Sequence, residues 1–212
     1  MAVIKYKLNG KWYPVPSIGV PGGTGATSCD CENPVKFYTN LIDAFNQENQ
    51  LSSEDGAAVC VFYGENGREH IMLIDDTQLD VGLTIDRNVD LVLNNHILTL
   101  GTNEACITFK EGTDCSINGE NGGEIQKADS SDISQQTYFI HSLGERLRLI
   151  GGKFNLVAES TAFSNDNTGP LILYAKSSNK LLEVIDSTFV QMKGYNCIHT
   201  EAQRAIFKNI VV

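Results

Sequence analysis

The chain has 212 residues and a formal net charge of −10, enough for one domain with appendages around a sizeable core. Such a charge opposes sequence-independent binding to nucleic acid, which draws its affinity from Lys and Arg neutralising phosphates; Lys176, Lys180, Lys193 and Lys208 stand isolated, not grouped in a basic patch. No run approaches the roughly 18 apolar residues of a membrane span, and Met1-Ala2-Val3-Ile4-Lys5 lacks the apolar core of a signal peptide, so the expectation is a chain made in the cytoplasm, or assembled there into something released by lysis.

Residues 1–16 carry a hairpin signal. Alternating Val3 to Leu8 and Lys11 to Val15 flank Asn9-Gly10, the pair that supplies both positive-φ positions of a type I′ turn. A two-stranded hairpin is marginally stable alone, and Tyr6, Trp12 and Tyr13 are more aromatic surface than so small a unit can hide. It either packs back on the rest of the chain as a cap or serves as a docking module for a larger assembly. The run from Lys5 to Ile18 resembles the short leader of phage fibre and appendage proteins, which attach to the virion by their N-terminus. The resemblance implies a virion structural protein in which Tyr6, Trp12 and Tyr13 dock.

Residues 17–34 read as a neck. Gly19-Val20-Pro21, Gly22-Gly23-Thr24 and Gly25-Ala26-Thr27 place glycine at every third residue, as a collagen-like triple helix needs at its axis; three triplets are equally a Gly/Pro/Thr linker. Phage fibres are commonly trimeric and often carry such runs after the leader, so the resemblance implies trimerisation at Gly19, Gly22 and Gly25. Cys29-Asp30-Cys31 beside Glu32 has soft-metal chemistry, but no second Cys or His pair at ligand spacing follows. No metal or other cofactor is expected, and the six cysteines read as thiols: Cys106, Cys115 and Cys197 facing inward, Cys60 outward.

Residues 35–212 form the body. Thr39 is expected to cap a short helix with Leu41, Ile42 and Phe45 on one face, closing the open end of a stack of strands. Ala57 to Phe62 and His70 to Ile74 would be the first strands beneath it. Farther on, Leu147, Leu149, Ile150 and Phe154 recur as Leu182, Val184, Ile185 and Phe189 with a constant offset of 35. A repeated offset in apolar residues marks stacked units, and the alternation inside each unit makes them strands. Gly122-Gly123-Glu124-Ile125 and Gly151-Gly152-Lys153-Phe154 repeat 29 apart, so the period drifts with loop length. Segments of three to five residues, three to a unit, resemble the right-handed parallel β-helix of pectate-lyase-like proteins and phage tailspikes; a β-sandwich is the rival. Ile206 to Val212 ends within a strand pattern without the polar capping unit that solenoids need, which points to a covering partner or a longer chain.

Chemistry is sparse. Asp75, Asp76, Asp86, Asp90, Asp166 and Asp186 are the carboxylates a glycosidase would draw on, but each also suits a turn, and Asp186 aligns with Gly151 as a turn substitution; a lyase's calcium would draw on Asp90 and Asp114, but no spaced Asp cluster marks such a site. His70, His96, His141 and His199 fall at different strand ends, and Asn118 to Gly123 lacks the Lys-Ser/Thr and helix of a phosphate loop. The residues thus read as an all-β, non-enzymatic protein, and the resemblance to phage fibres implies a component of a phage particle, a head or tail fibre that partners capsid or tail proteins as a homotrimer and attaches to a host-surface glycan. A carbohydrate-active β-helix enzyme, a lyase or hydrolase of tailspike type, is the alternative.

Overall fold

The computed structural model describes residues 35–64, 67–102, 104–127, 138–155, 171–190 and 197–212, together with the backbone of 5–8 and 11–14. Gly19, Gly22, Gly25, Cys29, Cys31 and Asp166 lie outside the described residues. A hairpin, β1 (Lys5–Leu8) and β2 (Lys11–Pro14), pairs antiparallel with Tyr6 opposite Tyr13 and Lys7 opposite Trp12, the register a two-residue Asn-Gly connection sets.

The body begins with β3 (Lys36–Tyr38), α1 (Leu41–Asn46), β4 (Val59–Tyr63), β5 (Glu69–Leu73), β6 (Thr77–Leu79), β7 (Leu83–Ile85), β8 (Val89–Val92) and β9 (Ile97–Leu100). It continues through β10 (Ile107–Phe109), β11 (Asp114–Lys127), β12 (Tyr138–Ser142), β13 (Arg146–Asn155), β14 (Leu171–Ala175), β15 (Leu181–Ile185), β16 (Thr188–Val190), β17 (Ile198–Thr200) and β18 (Ala205–Lys208). The protein is thus all-β with mainly parallel pairing. A long sheet runs β18-β15-β13-β11-β8-β5-β4-β3, and a short one runs β17-β14-β12-β10-β7. The second halves of β11 and β13 leave the long sheet and make a third line of parallel pairing with β6, β9 and β16.

All three lines face one core. Leu149 stands between Ile117 and Val184 in the long sheet, Ile140 between Ile107 and Leu173 in the short one, and Phe154 between Ile125 and Phe189 in the third. All nine belong to a single buried cluster. The recurrence at an offset of 35 is therefore strand register: Leu147 pairs with Leu182, Ile150 with Ile185, Phe154 with Phe189. The glycine-led repeat 29 apart is the pairing of Glu124 with Lys153 and Ile125 with Phe154.

The beginning of the body departs from the expected stack. β3, β4 and β5 pair antiparallel, because only Gly64 to Arg68 connect β4 to β5, and a parallel crossover needs a dozen residues or more. The helix cap also differs from the expected Thr39. Asn40 sits at φ −151° and accepts from the Asp43 amide at 2.8 Å, while its amide nitrogen donates to the Asp43 carboxylate at 2.8 Å, a reciprocal arrangement that satisfies a free helix N–H and orders the turn. Leu41, Ala44 and Phe45 are the buried positions of α1, with Ile42 partly covered, and the helix lies against β3, β4 and β6. Arg87 ties it down: the guanidinium forks onto Glu69 at 2.8 and 3.0 Å, donates to the Phe45 carbonyl at 2.9 Å and lies 5.5 Å from the Phe45 ring centre.

Leu149 is fully buried. Leu149→Ala should lower the unfolding free energy by about 2–5 kcal/mol, read from urea denaturation. Leu149→Asp, which buries an unpaired carboxylate at a cost comparable to a domain's whole stability, should leave a chain without a cooperative transition by circular dichroism.

Candidate functional site

The short sheet carries a row of rings. Parallel register aligns Thr84, Thr108, His141, Tyr174 and His199 across β7, β10, β12, β14 and β17. Their strand neighbours Ile107, Ile140 and Leu173 fill the core, so alternation turns this row outward. Neighbouring strands lie about 4.8 Å apart, a spacing at which rings on successive strands stack. His141 and Tyr174 do so with centres 5.4 Å apart and planes 2° apart. Tyr138 leans on both, at 5.3 and 4.7 Å, and His199 meets Tyr174 edge-on at 5.1 Å.

A carboxylate borders the rings. The Tyr174 hydroxyl donates to Glu201 Oε1 at 3.0 Å, and His199 Nε2 lies 3.6 Å from the same oxygen, with both His199 and Glu201 about half exposed. Partial burial, then the Glu201 bond and charge, push the Tyr174 hydroxyl pKa up. Burial, then the Lys176 charge, hold His141 below the ordinary imidazole value, and its Nε2 has no hydrogen-bond partner among the described residues. The result is a half-open patch of apolar ring faces with hydroxyl, imidazole and carboxylate groups at its margin.

The sequence had set the four histidines apart, and the fold brings two of them together around Tyr174. Phe139-Ile140-His141, Ile172-Leu173-Tyr174 and Cys197-Ile198-His199 share one pattern, an apolar pair followed by a polar ring, and that was the available signal. His96 stands elsewhere, 3.5 Å from Asp76. His70 stacks on Phe62 at 5.1 Å in the long sheet.

The candidate carboxylates among the described residues have other partners. Asp90 is buried and meets Arg68 Nε at 2.8 Å and the Ser116 hydroxyl at 2.5 Å. Asp114 is shared by Arg68, Arg146 and Arg148 at 3.5–3.8 Å. These pairs pin β5, β8, β11 and β13 to one another. Asp76 accepts the Ile97 amide at 2.8 Å, and Asp86 lies 3.9 Å from Lys110. Asp186 sits at φ +51°, one residue past the Ile150–Ile185 pair, where Gly151 has φ +65°; it is the turn substitution the alignment implied.

Gly119, Gly122, Gly151 and Gly152, with Glu120, Lys153, Asp186 and Thr188, line an open groove of about 370 Å³ where the strands turn the corner. Here the residues between Gly119 and Glu124 form a bulge inside β11. The corner is tight: a Cβ on Gly151 would lie 2.7 Å from Glu120 Cα. Among the cysteines, Cys115 is buried in the core as expected, while Cys106 and Cys197 are only partly buried. Cys60 belongs to a smaller apolar cluster on the outward side of the long sheet, and burial pushes its thiol up to about 12.

Among the described residues no group of three or more His, Cys, Asp or Glu side chains is placed to hold a metal, and no helix is long and apolar enough to cross a membrane. No family model matches the chain, nor does any curated protein or solved structure.

The histidines give stability a pH dependence of definite sign. His70 and His141 both have folded pKa values below the ordinary 6.5, burial being the first cause of each. The unfolded chain then binds the proton more readily, so stability falls as pH drops from above 6.5 toward the folded values. The midpoint of thermal unfolding should fall between pH 7.5 and 5.5, and His141→Gln should flatten that slope.

Proposed function

We propose that the chain is a non-enzymatic structural component of a phage particle, a head or tail fibre or appendage, built as a right-handed parallel β-helix that holds a host-surface glycan on the ring row of the short sheet. The β-helix reading draws on three lines of parallel strands facing one core. Its hand follows the rule that nearly all parallel crossover connections obey. The leader-like run from Lys5 to Ile18 and the glycine triplets after it support attachment through the N-terminus and a trimeric assembly in the virion.

The observation that carries the glycan reading is the patch of Tyr138, His141, Tyr174 and His199 beside Glu201. A pyranose presents an apolar face of C–H groups and a rim of hydroxyls. The negative face of an aromatic ring attracts those C–H groups and shields them from water, while Glu201 and the half-exposed His199 imidazole accept from the hydroxyls. Nucleic-acid bases also stack on such rings, but a chain of net charge −10 repels their phosphates.

Binding to an array of bacterial-surface oligosaccharides checks this reading. The intact protein should retain at least one pyranose oligomer. Tyr174→Ala should weaken that binding about 30-fold, as truncating an anchoring aromatic costs roughly 2 kcal/mol. Tyr174→Phe, which keeps the ring and removes only the hydroxyl, should weaken it far less. Retention of no oligosaccharide would overturn glycan attachment. Release of reducing ends or unsaturated products, abolished by Asp186→Asn, would favour the enzymatic alternative.

A further inference from the structure

The outward side of the long sheet is dry where a bare sheet face would be wet. Two rows registered across β5, β8 and β11, His70-Asp90-Ser116 and Met72-Val92-Asn118, are 1–3% exposed. Their strand neighbours Ile71, Leu91 and Ile117 already fill the core from the other side. Alternation sends these rows outward, so a second layer must cover them. The partly buried side chains that pack on this face, Leu51 and Ile74 among them, belong to a cluster that reaches only as far as Val92. Of the described elements outside the body, β1 comes close to β11. The cover thins over the next two strands: the Arg148 side chain on β13 is 20% exposed and Glu183 on β15 is half-buried.

Charge points to the same occupant. Residues 1–16 contain Lys5, Lys7 and Lys11 and no acid, in a chain of net charge −10, and β11 carries Asp114, which Arg68, Arg146 and Arg148 share, and Glu120 at its bulge. A two-stranded hairpin also needs another surface to be stable, and the outward face of β5, β8 and β11 needs a cover for its polar groups. We infer that the outward face of β5, β8 and β11 is the seat of the N-terminal hairpin of the same chain. The attachment segment is thereby held against the body and presented together with it, not displayed at the tip of a free neck. This inference does not depend on the glycan reading.

Zero-length carbodiimide coupling of the full chain, in an equal mixture of ¹⁴N- and ¹⁵N-labelled protein, tests it. Lys153 and Glu124 at 3.1 Å and Lys180 and Glu145 at 2.7 Å serve as internal controls. The expected products join Lys5 or Lys7 to Asp114 or Glu120 within one isotope. Products of mixed isotope would give the seat to the hairpin of a second copy and overturn the same-chain assignment. Hairpin lysines left uncoupled to β11 while both controls couple would overturn the seat itself. A second reading uses the His70 imidazole by NMR, assigned through His70→Asn. Removing residues 1–16 should raise its titration midpoint toward the ordinary value near 6.5. The double variant Lys5→Glu/Lys7→Glu, which keeps the strands, should shift it the same way. A midpoint unchanged in the double variant would contradict the inference.

Discussion

In-register parallel pairing makes each residue stand on its equivalent one strand away, and the rest of this structure depends on that constraint. A row is then a chemical unit. Leu91, Ile117, Leu149 and Val184 form one apolar row because each is fully buried beside the next. A polar residue in such a row would have no partner, because the neighbours above and below are also apolar. Where a row is polar, its members satisfy one another: Asp90 accepts from Ser116 on the adjacent strand at 2.5 Å. Where it holds rings, they stack.

The same constraint governs the corners. A strand that turns at one place obliges the strand beside it to turn at the same place. The residue after the Ile150–Ile185–Lys208 register is Gly151 at φ +65°, Asp186 at +51° and Asn209 at +53°. Glycine, asparagine and aspartate are the residues that enter this left-handed region readily. The choice among them depends on the neighbours of each corner. Gly151 abuts Glu120 backbone and has no room for a Cβ. Asp186 and Asn209 keep their side chains and bond to each other at 2.6 Å, so the corner is both a turn and a contact between strands.

Much of this was legible in the sequence because the constraint leaves a periodic trace. The offset of 35 is the register of β13 with β15 and β16, and the glycine-led repeat is the register of β11 with β13. The hairpin followed from Asn9-Gly10. The ring row was missed because its members are 33 and 25 residues apart, with loops of unequal length between them, so no single offset collects them. The antiparallel opening was missed because β4 and β5 have the same apolar composition as the later strands; only the length of the connection distinguishes them. Thr39 and Asn40 are both capping residues, and the backbone geometry that chooses Asn40 is not written in composition.

Period-two alternation also says which side of a sheet a residue faces and nothing about what lies beyond it. His141 and His70 are both outward histidines by this rule. His141 stands in an accessible row, while His70 is 3% exposed. The difference comes from a second layer, and its consequence is chemical. A half-exposed ring row can exchange water for the face of a ligand at little desolvation cost to its polar rim. Asp90, under a second layer, has Arg68 and Ser116 in place of the water it has lost, and removing either partner from such a buried pair is far more costly than the pair is stabilising. Outward rows with one pattern thus divide between a surface open to a ligand and a surface that is already interior.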